Sequence, residues 1–178
     1  MNLSYSNTKF KNELENSLPN SSSAERQIWA TSIIEKGLDI KDLSTLLSCD
    51  KKVALRFTWL LSEIGEINPN KLLSALPFLF ELSDKIKHID FVNSFATYWR
   101  IAGIPCENEA KAIDLLFGWL QSASTNVTTK SRALFVLFEL TKKYPELKNE
   151  LKLCLMDQLD KNSNDFNKRA NKILTQLG

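Results

Sequence analysis

The sequence predicts an all-α fold in which about four helical hairpins stack behind an N-terminal helical extension. Arginines recur at a spacing near 38 residues: Arg56 in KKVALRFTWLLSEIG, Arg132 in TTKSRALFVLFELTK and Arg169 in DFNKRANKILTQL, separated by 76 (twice 38) and by 37. The intervening copy falls on FVNSFATYWRIAG, with Ser94 in the arginine slot, Phe95 in the place of Phe57 and Gly103 in that of Gly65. Pro69, Pro105 and Pro145 keep the same beat, and no segment reads as a strand. Such a period is the signature of helical hairpins that are each too small to bury an apolar face alone.

The elements follow in order. Residues 1–22 are rich in serine and asparagine, which favour turns and frayed ends, so they read as a poorly ordered or short-helix extension in which Phe10, Leu14 and Leu18 stripe one face. A single repeat domain is expected over 23–178. Ser22 and Glu25 form a capping box for a helix that carries Ile28, Trp29, Ile33 and Ile34 inward and stops at Gly37. Asp39 caps a short helix around Leu43, Leu46 and Leu47, and Asp50 caps one over 51–67 with Val53, Phe57, Leu60, Leu61 and Ile64 at core spacing.

Asn68-Pro69 starts the next helix, in which Pro77 predicts a kink. Phe91, Phe95, Tyr98 and Ala102 line its partner, which Gly103 ends. The third hairpin pairs 107–121 with 127–143. Its ALFVLFEL run is apolar on nearly every side, as a helix enclosed in the middle of a stack would be. The fourth runs from Pro145 to Leu159, turns at 160–164 and closes with Phe166, Ala170, Ile173, Leu174 and Leu177 on an otherwise polar helix.

These hairpins resemble HEAT and armadillo-type repeats over roughly residues 38–177. The resemblance implies a right-handed α-α superhelix, and a ladder of acidic residues in the turns paired with arginines six positions later. Asp50 and Arg56 match that pair in full, Asn126 with Arg132 and Ser163 with Arg169 keep only the arginine, and His88 with Ser94 keep neither.

Composition narrows the function. The 178 residues, 43% hydrophobic and 25% charged, suit a soluble globular protein, and no apolar run approaches the roughly 20 residues of a membrane span. The N-terminus carries no secretory pattern, so a cytoplasmic location is inferred. A net charge of +2 does not by itself point to nucleic acid. Cys49, Cys106 and Cys154 lack any CxxC spacing, and a lone His88 removes every mechanism that needs two histidines. Asp84 and His88, spaced i, i+4, are too few ligands for a metal, and no phosphate loop or nucleophile elbow is present. No cofactor or metal is expected, and no catalytic residue is assigned.

Basic residues recur near the start of each second helix: Lys51, Lys52 and Arg56; Lys85 and Lys87; Lys130 and Arg132; Lys168, Arg169 and Lys172. In stacked hairpins they form a ridge able to meet phosphates or an acidic partner, unless the arginines pair internally and the lysines are merely solvated. Of four tryptophans, Trp99 aligns with core positions and Trp59 lies off the core stripe, making it an inter-repeat contact or an exposed anchor. Glu63 and Glu139 occupy equivalent slots, which repetition explains without catalysis.

Two functions follow. The first is a non-catalytic binding module or scaffold that holds a protein or peptide in its groove, using Lys51, Lys52, Trp59, Lys130, Lys168 and Lys172, with Asp50 and Arg56 as a structural pair. The alternative is nucleic-acid binding, resembling in architecture the alkylpurine DNA glycosylases built from HEAT-like repeats.

Overall fold

The computed structural model describes residues 3–86 and 88–178, with side chains from residue 8 onward; Lys87 lies outside them. All regular structure among the described residues is helical: α1 (Leu3–Ser17), α2 (Ser23–Glu35), α3 (Ile40–Leu43), α4 (Lys51–Ile67), α5 (Pro69–Lys85), α6 (Ile89–Ala102), α7 (Glu109–Gln121), α8 (Val127–Lys143), α9 (Leu147–Gln158) and α10 (Asn164–Leu177). Short 3-10 turns follow α1, α3 and α9 and precede α7. The chain forms two compact units, Met1–Pro105 and Cys106–Gly178.

Six helix starts, those of α2, α3, α4, α5, α8 and α10, are fixed by side chains that accept the free amides of the first turn. Ser22 and Glu25 make the reciprocal capping box, Asp39 accepts from the amide of Lys41, and Asn68 from that of Lys71 with Pro69 at the first helical position. Asp50, Asn126 and Ser163 do the same for α4, α8 and α10. The slot that reads as the acid of a repeat ladder is therefore an N-cap slot. Aspartate, asparagine and serine interchange there because all three cap well. His88, in the same slot, makes no side-chain cap for α6.

In the first unit α4 is the central element, with α2, α5, α6 and the 3-10 turns after α1 and α3 packed on it. Leu14 and Leu18 are fully buried, so the N-terminal segment belongs to this unit's core, with Phe10 half-buried beneath the Lys36 ammonium at 4.7 Å. Phe57, Leu60, Leu61 and Ile64 of α4 meet Phe91, Phe95 and Tyr98 of α6 in that core. The buried Tyr98 hydroxyl donates to the Thr58 carbonyl at 3.0 Å, which gives a deeply buried polar atom its partner. Phe80 of α5 closes edge-on over Phe95 and Trp99 at 5.1 and 5.4 Å between centroids. Helix α5 continues through Pro77, which lacks the amide that would reach the carbonyl of Leu73.

Two expectations change. On α2 the buried face is Arg26, Ala30 and Ile33, while Ile28 points to solvent and Trp29 and Ile34 are half-buried. Gly65 and Gly103, 38 positions apart in the sequence, are required for different reasons. Gly103 ends α6 at a φ of +85°, in the left-handed region. Gly65 lies inside α4, where an added Cβ would stand 2.5 Å from Cδ2 of the fully buried Leu72 and 3.1 Å from Cγ2 of Ile101.

In the second unit α8 packs against α7, α9 and α10, and α7 also against α9. Glu109 in the first turn of α7 accepts from the Lys143 ammonium at 2.7 Å and the Tyr144 hydroxyl at 2.5 Å. These bonds hold the Glu109 carboxyl below the usual carboxylate range and tie the end of α8 to the start of α7.

Gly65→Ala should lower stability by roughly 1–2 kcal/mol, because overpacking outweighs the gain in helix propensity. Gly118→Ala, in the interior of α7 with nothing within 4 Å of the added methyl, should raise it by up to about 1 kcal/mol. Urea midpoints measure both, and a stabilised Gly65→Ala would refute the close approach of α4 to Leu72.

Candidate docking groove and the Trp59 cluster

The basic residues singled out in the sequence do not share one environment. Lys51 and Lys52 are exposed in the first turn of α4, and Lys168 and Lys172 are exposed on α10. Lys85 is also exposed but sits in the last turn of α5, where its charge complements the helix dipole. Lys130 is different: only 3% exposed, it is removed from any accessible ridge. Its ammonium donates to Gln158 Oε1 at 3.1 Å, and burial pushes its pKa down. That placement follows from the register of α8, which turns Lys130, Ala133, Leu134 and Leu137 toward its neighbours.

Trp59 is 40% exposed, as the repeat alignment suggests, while Trp99 and Trp119 are buried and Trp29 is half-buried. Its ring is not a bare platform. The Arg56 guanidinium lies over it at 4.3 Å and that of Arg26 at 5.1 Å. Arg26 is 6% exposed; its Nη1 donates to the carbonyl and hydroxyl of Ser21 at 2.9 and 3.2 Å, while its buried Nε has no hydrogen-bond partner. Burial, and the Arg56 charge after it, push Arg26 below its ordinary value, with Glu63 opposing. Glu63 accepts from the Ser23 hydroxyl at 3.0 Å. The cluster fastens α2 to α4 through cation–π contacts. The sequence placed Arg26 in no role, because a burying arginine in α2 has no local signature.

Asp50 and Arg56 are likewise engaged locally: the carboxylate accepts from the amides of Lys52 and Val53 at 2.9 and 3.3 Å, and Arg56 covers Trp59. His88 Nδ1 stands 3.9 Å from Asp90. Among the described residues no group of three or more His, Cys, Asp or Glu side chains could hold a metal ion, and no helix is long and apolar enough to cross a membrane. Cys49 is half-buried, Cys106 exposed and Cys154 buried, all as free thiols.

A concave surface with a volume of about 260 Å³ lies in the second unit, between α8 and α10. Leu134, Phe135, Phe138 and Ile173 form its apolar floor, and Arg169 and Lys172 stand on the α10 side. Phe135 is 46% exposed. The ALFVLFEL helix is thus covered on the rows that hold Ala133, Leu134, Val136, Leu137 and Leu140, but not on the row of Phe135. Glu139, the acid of the groove, is held by Lys142 at 2.7 Å, and Lys142 also lies over Phe138 at 5.2 Å. The groove is apolar at its base and cationic on one wall. A second hollow of about 370 Å³, beside Gly37, Asp39, Lys41 and Lys71, is more polar.

The chain matches no family model, no curated protein and no solved structure.

Lys130→Met should leave stability unchanged or raise it by about 1 kcal/mol, since the buried ammonium has no carboxylate partner among the described residues and Gln158 Oε1 keeps a bond from Asn162. With its folded pKa below its unfolded value, charged Lys130 destabilises at neutral pH and is relieved as pH rises toward 10.5, so the advantage of Lys130→Met should shrink there. Urea midpoints across pH measure this, and a large loss of stability in the variant would contradict it. A double-mutant cycle with Arg56→Ala and Trp59→Leu should return a coupling of about 0.5–2 kcal/mol. A coupling near zero would show that the two side chains do not stabilise each other.

Proposed function

We propose that this chain is a non-catalytic binding module, a scaffold whose groove between α8 and α10 receives an apolar, carboxylate-bearing segment of a protein or peptide partner. The observation that carries this reading is the conjunction of an open aromatic floor, Phe135 and Phe138, with the cations Arg169 and Lys172 on the same wall. An enclosed apolar site of about 150 Å³ holds a benzene-sized group, so a groove of 260 Å³ has room for an aromatic anchor or a pair of aliphatic ones. Helix-in-groove recognition uses such anchors at i, i+3 and i+7.

The reading includes the HEAT-like repeat architecture and a cytoplasmic location. The 38-residue beat supports the repeats, as does the packing of α5 on α6, α7 on α8, and α9 on α10 as consecutive helical pairs. Burial of Lys130 and the guanidiniums over Trp59 weigh for a peptide rather than a nucleic acid, since both features that the basic ridge would need are already engaged.

A labelled helical peptide with leucines at i, i+3 and i+7 between glutamates tests the reading by fluorescence anisotropy. Binding should weaken at least about tenfold in Phe135→Ala and in Arg169→Glu/Lys172→Glu, and the second variant should prefer the lysine version of the peptide. Peptide affinity indifferent to both variants would overturn it. Tight duplex DNA binding at low salt, lost on charge reversal of Lys51 and Lys52, would replace it with the nucleic-acid reading.

A further inference from the structure

We infer that the segment that fits this groove is carried by the chain itself: α9 of a second copy docks between α8 and α10. The inference rests on the groove being a docking site, and adds the identity of the occupant.

Helix α9 turns two large apolar side chains to solvent, Leu153 at 70% and Met156 at 65% exposed, in a unit whose other faces of α9 are packed on α7, α8 and α10. They stand at i, i+3, the spacing that places two anchors side by side on one helical face. Carboxylates flank them along the same stretch: Glu150 one turn before Leu153, Asp157 next to Met156, and Asp160 one turn beyond Met156 in the 3-10 turn that follows α9. Asp157 is partly satisfied by Lys161 at 2.6 Å, whereas Glu150 and Asp160 are exposed. The nearest cation within the helix, Lys152, is half-buried and reaches the carbonyl of Gly178.

The groove is the converse of this stripe. It offers aromatic floor where α9 offers a leucine and a flexible methionine, and Arg169 and Lys172 where α9 offers acids. Because groove and stripe are different surfaces of one chain, the contact is heterologous. Copies then add head to tail and either close into a ring or continue as a filament. Two anchors and a few charges bury a small area, so the assembly is weak and concentration-dependent.

Sedimentation velocity on the full chain from about 10 µM to about 1 mM should show the average mass rising with concentration, less so in high salt. Phe135→Lys removes the groove and Leu153→Lys removes the stripe. Both side chains are exposed, and circular dichroism and urea midpoints confirm that each variant keeps the fold. Each alone should weaken association at least about tenfold. An equimolar mixture should regain mass, but only to the dimer, since one variant supplies an intact stripe and the other an intact groove.

A constant monomer mass in the wild type overturns the inference, as does loss in only one of the two variants, or a mixture that stays monomeric. If the wild type is monomeric yet the acidic peptide binds at Phe135, the docking reading stands and the second copy is not the occupant. If neither assembles nor binds, both fall.

Discussion

Helix α8 carries more apolar surface than its neighbours cover. A helix that is apolar on nearly every side is stable in water only if packed on nearly every side, and burial is worth roughly 25 cal/mol per Å² of apolar surface removed from water. In the first unit that requirement is met along the row of Phe57, Leu60, Leu61 and Ile64 on α4, and the exposed Trp59 of the same helix is roofed by two guanidiniums. Helix α4 is enclosed by α2, α5, α6 and two 3-10 turns, closely enough on the α5 and α6 side that residue 65 has no room for a side chain. Around α8, the helices α7, α9 and α10 leave the row of Phe135 and Phe138 open. The groove and the surfaces that complement it follow from this difference.

The two units manage buried cations differently. In the first, Arg26 enters the packing between α2 and α4 and is stabilised by an indole face and the carbonyl of Ser21 rather than by a direct carboxylate contact. In the second, Lys130 enters between α8 and α9, where its ammonium donates to the Gln158 amide oxygen. Arginine tolerates the first setting because its charge is delocalised over a plane that stacks. The ammonium of lysine is a compact, strongly hydrated charge that loses more on burial. Charges left on the outside define the surface of the second unit, among them Arg169 and Lys172 on α10 and Glu150 and Asp160 near the ends of α9.

Much of this fold was legible in the sequence because helix ends are written locally. Ser22 with Glu25, Asp39, Asp50 and Asn68 each announce a helix start through side chains that reach only two or three residues, and Gly37 and Gly103 mark ends through a conformation few other residues adopt. What was not legible depends on which neighbour lies across a face. The repeat register brought Gly65 and Gly103 into one column although one is a close approach and the other a cap. It also placed Lys130 among surface lysines. Only the packing of α9 against α8 decides that the ammonium turns inward. Trp59 was recognised as lying off the core stripe, but the two guanidiniums on its ring come from α2 and α4 and have no joint signature in the chain. The groove itself was concealed by the uniform apolarity of ALFVLFEL, in which nothing distinguishes Phe135 from its covered neighbours.

The most direct measurement is a map of backbone amide chemical shifts of the wild-type chain as its concentration is raised. If the uncovered row of α8 is where the molecule makes its contacts, shifts should move around Phe135, Phe138, Arg169 and Ile173, and around Leu153 and Met156, while Lys51, Lys52 and Trp59 stay still. Movement centred on α4, or none in the second unit up to millimolar protein, would contradict the account.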